Sequence, residues 1–330
     1  MSYLRKDALQ EKAVKYLEAV DLLPKRVRDK VNDYLGGDAP DYVFDFVEKM
    51  RLELVSTKVG VVLASTGSTT PYESLFFPFL FSDELRVSVS RDYEDKESLG
   101  KFLKKLGIQE FNRDTFVFED LDSLILYGSH EVLDFYQEKF HGKIAFYGPA
   151  LSVAYVTPED LRDVKVIEGL AEDVSVEGGS GCLNTKIIVS DAPLTEFVPV
   201  AGSFKHPWKG EDNAIVRAIT TGVEVSGRFP FFSSRQIFPL PGTSALVIPT
   251  LSVHDGPYHD FNPDWVSTLS IASEERLKDE VVLKILEKWK PTRICLIGES
   301  QEPTTNWAHD GAVEPFNFSI FRNSQLGASK

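Results

Sequence analysis

A glycine-rich stretch that ends in a cysteine is the part of the sequence whose residue types point most directly to chemistry. Residues 177–182 read Glu-Gly-Gly-Ser-Gly-Cys, and an apolar, β-type run over residues 186–189 follows. Glycines let a turn expose its backbone N–H groups and let another molecule approach the main chain. A cysteine thiolate attacks carbonyl and thioester carbons, and adjacent N–H groups can hold the oxyanion that forms. The stretch therefore predicts Cys182 as a nucleophile, with a small buried hydrophobe at the start of a strand as the alternative.

Two loops with hydroxyl side chains follow predicted strands. The first covers residues 66–70, after the apolar run 59–65, and the second is Gly128-Ser129, which ends a strand and opens a helix. A glycine and a hydroxyl residue at a helix N-terminus offer N–H donors, an oxygen and the positive end of the helix dipole to a phosphate. A simple helix cap is the alternative, because neither standard nucleotide-binding glycine fingerprint is present.

Other catalytic constellations find less support in the sequence. His254 and His259 lie five residues apart in a loop, but no cysteine or glutamate cluster accompanies them, so we predict no metal site. A serine hydrolase would need a nucleophile elbow of the G-x-S-x-G type with its strand before the turn. The glycines before Cys182 do not fit that pattern, and their strand comes after the turn.

Composition bounds the class of protein. The chain has 330 residues, enough for about two domains. Its formal net charge of -14 argues against nucleic acid or an anionic membrane surface as the main partner. The presence of only 2 cysteines predicts no disulfide framework and is typical of the cytoplasm. No apolar run reaches the length needed to span a bilayer, so we expect a cytoplasmic protein without a membrane span.

The elements that must position these residues alternate between strands and helices. Apolar residues at helical spacing predict an N-terminal helical layer, and strands then alternate with helices from residue 59 to residue 140. This order predicts a doubly wound α/β domain with its ligand beyond the carboxyl ends of the strands. We predict a strand at 115–118, a helix that starts at Thr157, and a helix over 274–289 capped by Ser273. Cys295 is predicted to lie in the core.

The order of motifs resembles that of the aldehyde dehydrogenase superfamily. In that fold a Rossmann-like domain ends in a strand with Thr-Gly-Ser, and a linker strand with Glu-Leu-Gly-Gly follows. A helix with an acidic start then precedes the nucleophilic cysteine. Here Tyr-Gly-Ser at 127–129 matches the first motif, Phe-Tyr-Gly-Pro at 146–149 stands at the second, and Pro-Glu-Asp-Leu at 158–161 matches the helix start. Gly181-Cys182 then precedes the strand at 186–189.

Within the superfamily, the chain is most similar to the LuxC-type acyl-CoA reductases of the fatty-acid reductase complex of luminous bacteria. An Arg-Ile strand that ends in glycine at 293–298, a His-Asp-Gly at 309–311 and Pro315 carry this resemblance. The resemblance implies an α/β fold with a Rossmann-type parallel-sheet domain plus a second α/β catalytic domain. We predict the helical layer and dinucleotide-binding domain over residues 1–155 and the catalytic domain with Cys182 over residues 156–330.

Departures from the superfamily pattern suggest the direction of the reaction. Phe146 stands where the superfamily has the glutamate that activates water, and a thioester reductase needs water kept out rather than activated. The lysine after the second Rossmann strand is replaced near Ser90-Arg91, so Arg91 could meet a 2′-phosphate and Asp92 a ribose hydroxyl. Both NADPH and NADH therefore remain open as the cofactor. The oxyanion asparagine aligns with Thr69 or a neighbour.

The resemblance implies that Cys182 takes an acyl group from acyl-CoA or an acyl-protein thioester, which hydride from NADPH or NADH reduces to an aldehyde. In that scheme Gly128, Ser129, Thr66 and Ser68 bind the cofactor, while Thr69 or Ser68 and the Cys182 N–H hold the oxyanion. His309 would orient or protonate, or shape a turn. A homo-oligomer or a complex with an acyl-activating partner is possible. The alternatives are a conventional aldehyde dehydrogenase, a non-catalytic acyl-binding or scaffolding subunit, and a cofactor-free acyltransferase.

Overall fold

The structure is a computed structural model that divides the chain into two compact units. It describes residues 6–35, 57–63, 69–90, 93, 95–148, 151–176, 183–203, 238–239, 245–248, 250 and 266–300. The first unit contains the described residues up to 148, and the second contains those from 151 to 300.

A five-stranded parallel sheet forms the centre of the first unit, with the strand order β3-β2-β1-β4-β5. Its strands are β1 (Lys58–Val62), β2 (Glu84–Val89), β3 (Gln109–Asn112), β4 (Ser123–Tyr127) and β5 (Lys143–Tyr147). All five residues of β4 are buried, as expected of a parallel strand that is covered on both faces. This sheet agrees with the predicted doubly wound domain.

The helices of the first unit cover the two faces of this sheet. They are α1 (Lys6–Val20), α2 (Lys25–Leu35), α3 (Thr70–Ser74), α4 (Phe76–Phe81), α5 (Lys96–Leu106) and α6 (His130–Gln137). One apolar cluster packs the first five helices, α1 through α5, against one face of the sheet. A second cluster packs α6 and the segment 113–122 against the other face of the sheet. Local signals fix α5, because Asp95 accepts a hydrogen bond from the Ser98 N–H and Gly107 ends the helix with φ +75°.

The second unit contains a six-stranded sheet with the order β11-β10-β6-β7-β9-β8, in which only the β8–β9 pair is antiparallel among the described strands. The strands are β6 (Leu151–Tyr155), β7 (Thr185–Val189), β8 (Phe238–Pro239), β9 (Leu246–Ile248), β10 (Val266–Ile271) and β11 (Arg293–Leu296). Helices α7 (Val164–Ser175) and α8 (Val198–Gly202) join the apolar cluster on one face, and α9 (Glu280–Trp289) joins the cluster on the other.

Three predicted elements differ from the structure. No strand forms at 115–118; the third strand lies at 109–112, and Phe116 and Phe118 are buried from a loop. The predicted helix at Thr157 is a 3₁₀ turn over Asp160–Arg162, after which Asp163 caps α7. The segment after Ser273 is likewise a 3₁₀ turn, and α9 begins only at Glu280. Apolar spacing records burial, and a buried loop or a short turn produces the same pattern.

The two units divide between residues 148 and 151. The boundary predicted after residue 155 would leave β6 with the first unit, whereas β6 pairs with β7 and β10 in the second sheet. None of the described helices is long and apolar enough to cross a membrane.

Candidate functional site

The carboxyl edge of the first sheet contains a point at which the chain connections change sides. Strands β1 and β4 are neighbours, yet β1 leads to α3 and α4 on one face and β4 leads to α6 on the other. Connections that leave in opposite directions open a crevice between the two strand ends, and ligands of doubly wound sheets bind there. The two predicted loops therefore follow neighbouring strands, with Thr69 at the start of α3 and Gly128 directly after β4.

Gly128 and Ser129 form the entrance to α6. The Gly128 N–H donates to the Tyr147 carbonyl at 3.3 Å, which ties this turn to β5. Ser129 is the N-cap residue with extended backbone, but its hydroxyl makes no capping hydrogen bond to the described backbone of α6. Because its side chain is exposed and is not used as a cap, the hydroxyl is available at the positive end of the helix dipole.

Thr69 occupies the corresponding place before α3. Its carbonyl accepts hydrogen bonds from the Tyr72 N–H at 2.9 Å and the Glu73 N–H at 3.2 Å, and its hydroxyl makes no capping bond to the described helix. The predicted cofactor residues Thr66, Ser68 and Arg91 lie outside the described residues.

Aromatic side chains line the neighbouring part of β4 and β5. The rings of Tyr127 and Tyr147 stack with centroids 4.9 Å apart. On the other face of the sheet, Phe146 is partly buried and meets the His130 ring edge-on at 5.5 Å. A hydrocarbon ring with no ionisable group therefore occupies the β5 position at which the resemblance expects a glutamate.

In the second unit, the structure describes both ends of the cysteine-bearing turn, although residues 177–182 themselves, with Cys182, lie outside the described residues. Asn184, just before β7, donates from Nδ2 to the Val176 carbonyl at 3.1 Å and to the Asp173 carbonyl at 3.2 Å. The side chain of Asn184 is 1% exposed. This amide joins the residue that precedes the turn to the residues that follow it.

Asp173, near the end of α7, is a buried carboxyl at the centre of this region. Its Oδ2 accepts the Gly298 N–H at 2.9 Å, and its Oδ1 accepts the Ser300 hydroxyl at 2.7 Å. Ser300 Oγ also lies 3.3 Å from the Leu183 carbonyl. Burial raises the pKa of Asp173 to about 7 against these hydrogen bonds, which act to lower it.

Sequence reasoning did not identify Asp173, Asn184 and Ser300. Asp173 and Asn184 lie 11 residues apart and Ser300 lies 127 residues beyond Asp173, so no local motif joins the three and only their contacts reveal them. The second cysteine is better explained by the sequence: Cys295 is buried, as predicted, and burial raises its thiol pKa to about 11, which makes it a poor nucleophile. His309 lies outside the described residues.

The sequence and the structure were compared with those of known proteins. No protein-family model matches the sequence, and no curated protein matches it. Among solved structures, 1-pyrroline-5-carboxylate dehydrogenase from Thermus thermophilus is 11% identical, with a TM-score of 0.58 over 96% of this chain and 80% of that chain. Aldehyde dehydrogenase 21 from Physcomitrella patens is 10% identical, with a TM-score of 0.62 over 96% and 84%.

A third structure, the Delta-pyrroline-5-carboxylate dehydrogenase from Mycobacterium tuberculosis, is 12% identical, with a TM-score of 0.52 over 96% of this chain and 77% of that chain. These neighbours are members of the aldehyde dehydrogenase superfamily, and the two parallel-strand sheets with their helices follow the predicted α/β architecture. The chain therefore has the aldehyde dehydrogenase-like fold.

Proposed function

We propose that this chain reduces an acyl thioester to an aldehyde, with Cys182 as the nucleophile and NADH or NADPH as the source of hydride. The observation that carries the proposal is Phe146, the hydrocarbon side chain on β5 that replaces the water-activating glutamate of the superfamily. Phe146 offers no atom that could accept a proton from water, and its ring lies in edge-on contact with the His130 ring. An acyl group on Cys182 would then survive long enough to be reduced.

The proposed reaction has two covalent steps. The Cys182 thiolate attacks the thioester carbonyl carbon, and the C–S bond to the donor breaks, so that the thiol of CoA or of a carrier protein leaves. A dinucleotide held by Gly128 and Ser129 would supply the hydride that reduces the acyl carbon. The C–S bond to Cys182 then breaks, and the aldehyde leaves the thiolate behind. Through both steps, the Cys182 N–H and the hydroxyl of Thr69 or Ser68 would stabilise the carbonyl oxygen as it gains charge.

The entrance to α6 fits the pyrophosphate of a dinucleotide. Ser129 has an exposed hydroxyl that is not engaged as a cap, and the first turn of α6 presents its N–H groups at the positive end of the dipole. The Mycobacterium tuberculosis neighbour and a further Thermus dehydrogenase are described with bound NAD, which supports the same cofactor class here. We propose Gly128 and Ser129, with Thr66 and Ser68, as the pyrophosphate site and Arg91 as the contact to a 2′-phosphate.

The decisive test is the intact mass of the protein after incubation with a panel of acyl-CoAs, beside Cys182→Ala. The proposal expects a mass increase equal to one acyl group in the unmodified chain, no increase in Cys182→Ala, and its discharge as aldehyde when NADH or NADPH is added. An unmodified protein with every acyl donor, including acyl-carrier protein, would refute it.

A conventional aldehyde dehydrogenase is the second candidate, because the structural neighbours carry dehydrogenase names. That reaction ends with water attacking the acyl-enzyme, which requires a base. Incubation with an aldehyde and NAD distinguishes the two: steady release of carboxylic acid would favour the dehydrogenase, whereas an acyl-enzyme that accumulates and is released only by a thiol would favour the reductase.

A further inference from the structure

We propose that Asn184, Ser300 and Asp173 form a clamp that fixes both ends of the turn 177–182 and so positions the Cys182 thiol. This inference rests on the proposed role of Cys182 as the nucleophile. The three residues act through the backbone of the turn, and they are positioning residues.

The first half of the clamp is the Asn184 side chain. Its Nδ2 has two hydrogens, and the two carbonyls within reach belong to Val176 and Asp173 at the end of α7. These carbonyls are among the last of a helix, which lack partners within the helix. One buried amide therefore joins Asn184 to the end of α7, so that described residues on both sides of the segment 177–182 are held together.

The second half is the Ser300 hydroxyl, which reaches the clamp from the segment after β11. It lies within hydrogen-bond distance of the Leu183 carbonyl, the first described residue after Cys182, and of the Asp173 carboxyl. The Gly298 N–H donates a hydrogen bond to the other carboxyl oxygen of Asp173, so Asp173 joins α7 to the segment after β11. A change at either Asp173 or Ser300 therefore acts on the residue directly after the nucleophile.

The charge on Asp173 decides which partner receives the Ser300 hydrogen. A hydroxyl has a single hydrogen, and an ionised carboxylate is the stronger acceptor. When Asp173 is protonated, its own O–H can donate to Ser300 Oγ, and the Ser300 hydrogen turns to the Leu183 carbonyl. The other titratable or charged groups on the elements packed here are Lys165, Glu168 and Glu172 on α7, Lys186 on β7, and Arg293, Cys295 and Glu299 along and after β11.

The test measures hydrogen exchange of the peptide that contains residues 177–182 in the full chain, in Asn184→Ala and in Ser300→Ala. Ser270→Ala is the matched control, because Ser270 is equally buried in the same unit but bonds to Cys295. Loss of the buried hydrogen bonds of Asn184 or of Ser300 predicts exchange that is at least about tenfold faster and confined to this peptide in the two clamp variants, and no change in Ser270→Ala. Unchanged exchange in both clamp variants would overturn the proposal.

A second readout asks whether the clamp serves the thiol. The pH profile of Cys182 alkylation by iodoacetamide, followed by peptide mass, gives the thiol pKa without any acyl substrate. We expect the alkylation profile of both clamp variants to differ from that of the original chain, and Ser300→Thr to restore the original profile. An alkylation profile that is identical in all variants would refute the positioning role. If these effects are present but no acyl-enzyme forms, the clamp stands and the proposed function fails.

Discussion

Replacement of the buried Asp173 by asparagine should change how the stability of the protein depends on pH. Burial raises the pKa of Asp173 from an ordinary value of 3.8 to about 7, so the folded state holds this proton more tightly than the unfolded state does. The stabilisation that this bound proton gives to the folded state is therefore complete below the pKa of Asp173 in the unfolded chain, and it is lost as the pH rises through about 7. At about 1.4 kcal/mol for each pKa unit, the ionised carboxyl costs the folded state about 4 kcal/mol at high pH.

Most of this change falls in a range in which unfolding can be measured. Between about pH 5 and about pH 8.5, the cost of ionising Asp173 should grow by about 3 kcal/mol, because part of it is already present at the lower pH. Because the asparagine in Asp173→Asn cannot ionise, the stability of this variant does not include the pH-dependent cost of ionisation. The amide cannot accept a hydrogen bond at both of its ends, which costs stability, but that cost is independent of pH and cancels when the two pH values are compared.

Urea unfolding of both proteins at the two pH values is the assay. The stability of Asp173→Asn relative to the original chain should improve by about 3 kcal/mol from the lower to the higher pH. Titration of all other groups is common to both proteins and drops out of the difference. A relative stability that is the same at both pH values would refute the conclusion that Asp173 is held neutral by burial.

Three further predictions concern the first sheet and the polar contacts of the second unit. Phe146→Glu should speed hydrolysis of the acyl-enzyme by roughly 10²–10⁴-fold through an added base, seen as loss of the acyl mass, whereas Phe146→Gln should not. Gly128→Ala, whose added Cβ would lie 3.2 Å from an α6 side chain, should weaken NADH binding about tenfold in a fluorescence titration. Gly100→Ala, at a position with more room for a Cβ, should leave the affinity for NADH unchanged. Equal affinities of the Gly128→Ala and Gly100→Ala variants would contradict a dinucleotide site at the start of α6. Arg276→Ala should cost about 2 kcal/mol in urea unfolding, because it breaks a 2.7 Å ion pair with Asp160 that joins the 3₁₀ turns after β6 and β10. Lys25→Ala, at an exposed pair, should cost under about 0.5 kcal/mol, and similar losses in both would refute this reasoning.

Local patterns in the sequence were sufficient for much of the first sheet. The strand and helix alternation predicted from residue 59 to residue 140 includes α5, because its cap at Asp95 and its glycine end at Gly107 are contacts between residues close in the chain. The alternation of apolar strands with amphipathic helices likewise indicated a parallel sheet covered on both faces, and the structure confirms that fold class. The roles of Cys182, Thr66, Ser68, Arg91 and His309 stay predictions.

Residue types and their spacing indicated which segments are buried and where glycines and hydroxyl residues interrupt them. Packing between segments distant in the chain decided which of them became strands, as at 109–112 rather than 115–118, since an apolar loop and a short strand leave the same pattern. It also decided that Asp173 on α7 would meet Ser300, 127 residues away, and Asn184 beside the cysteine-bearing turn. Such contacts depend on the order of strands in the sheet, which arises from packing over the whole unit and has no counterpart in local spacing.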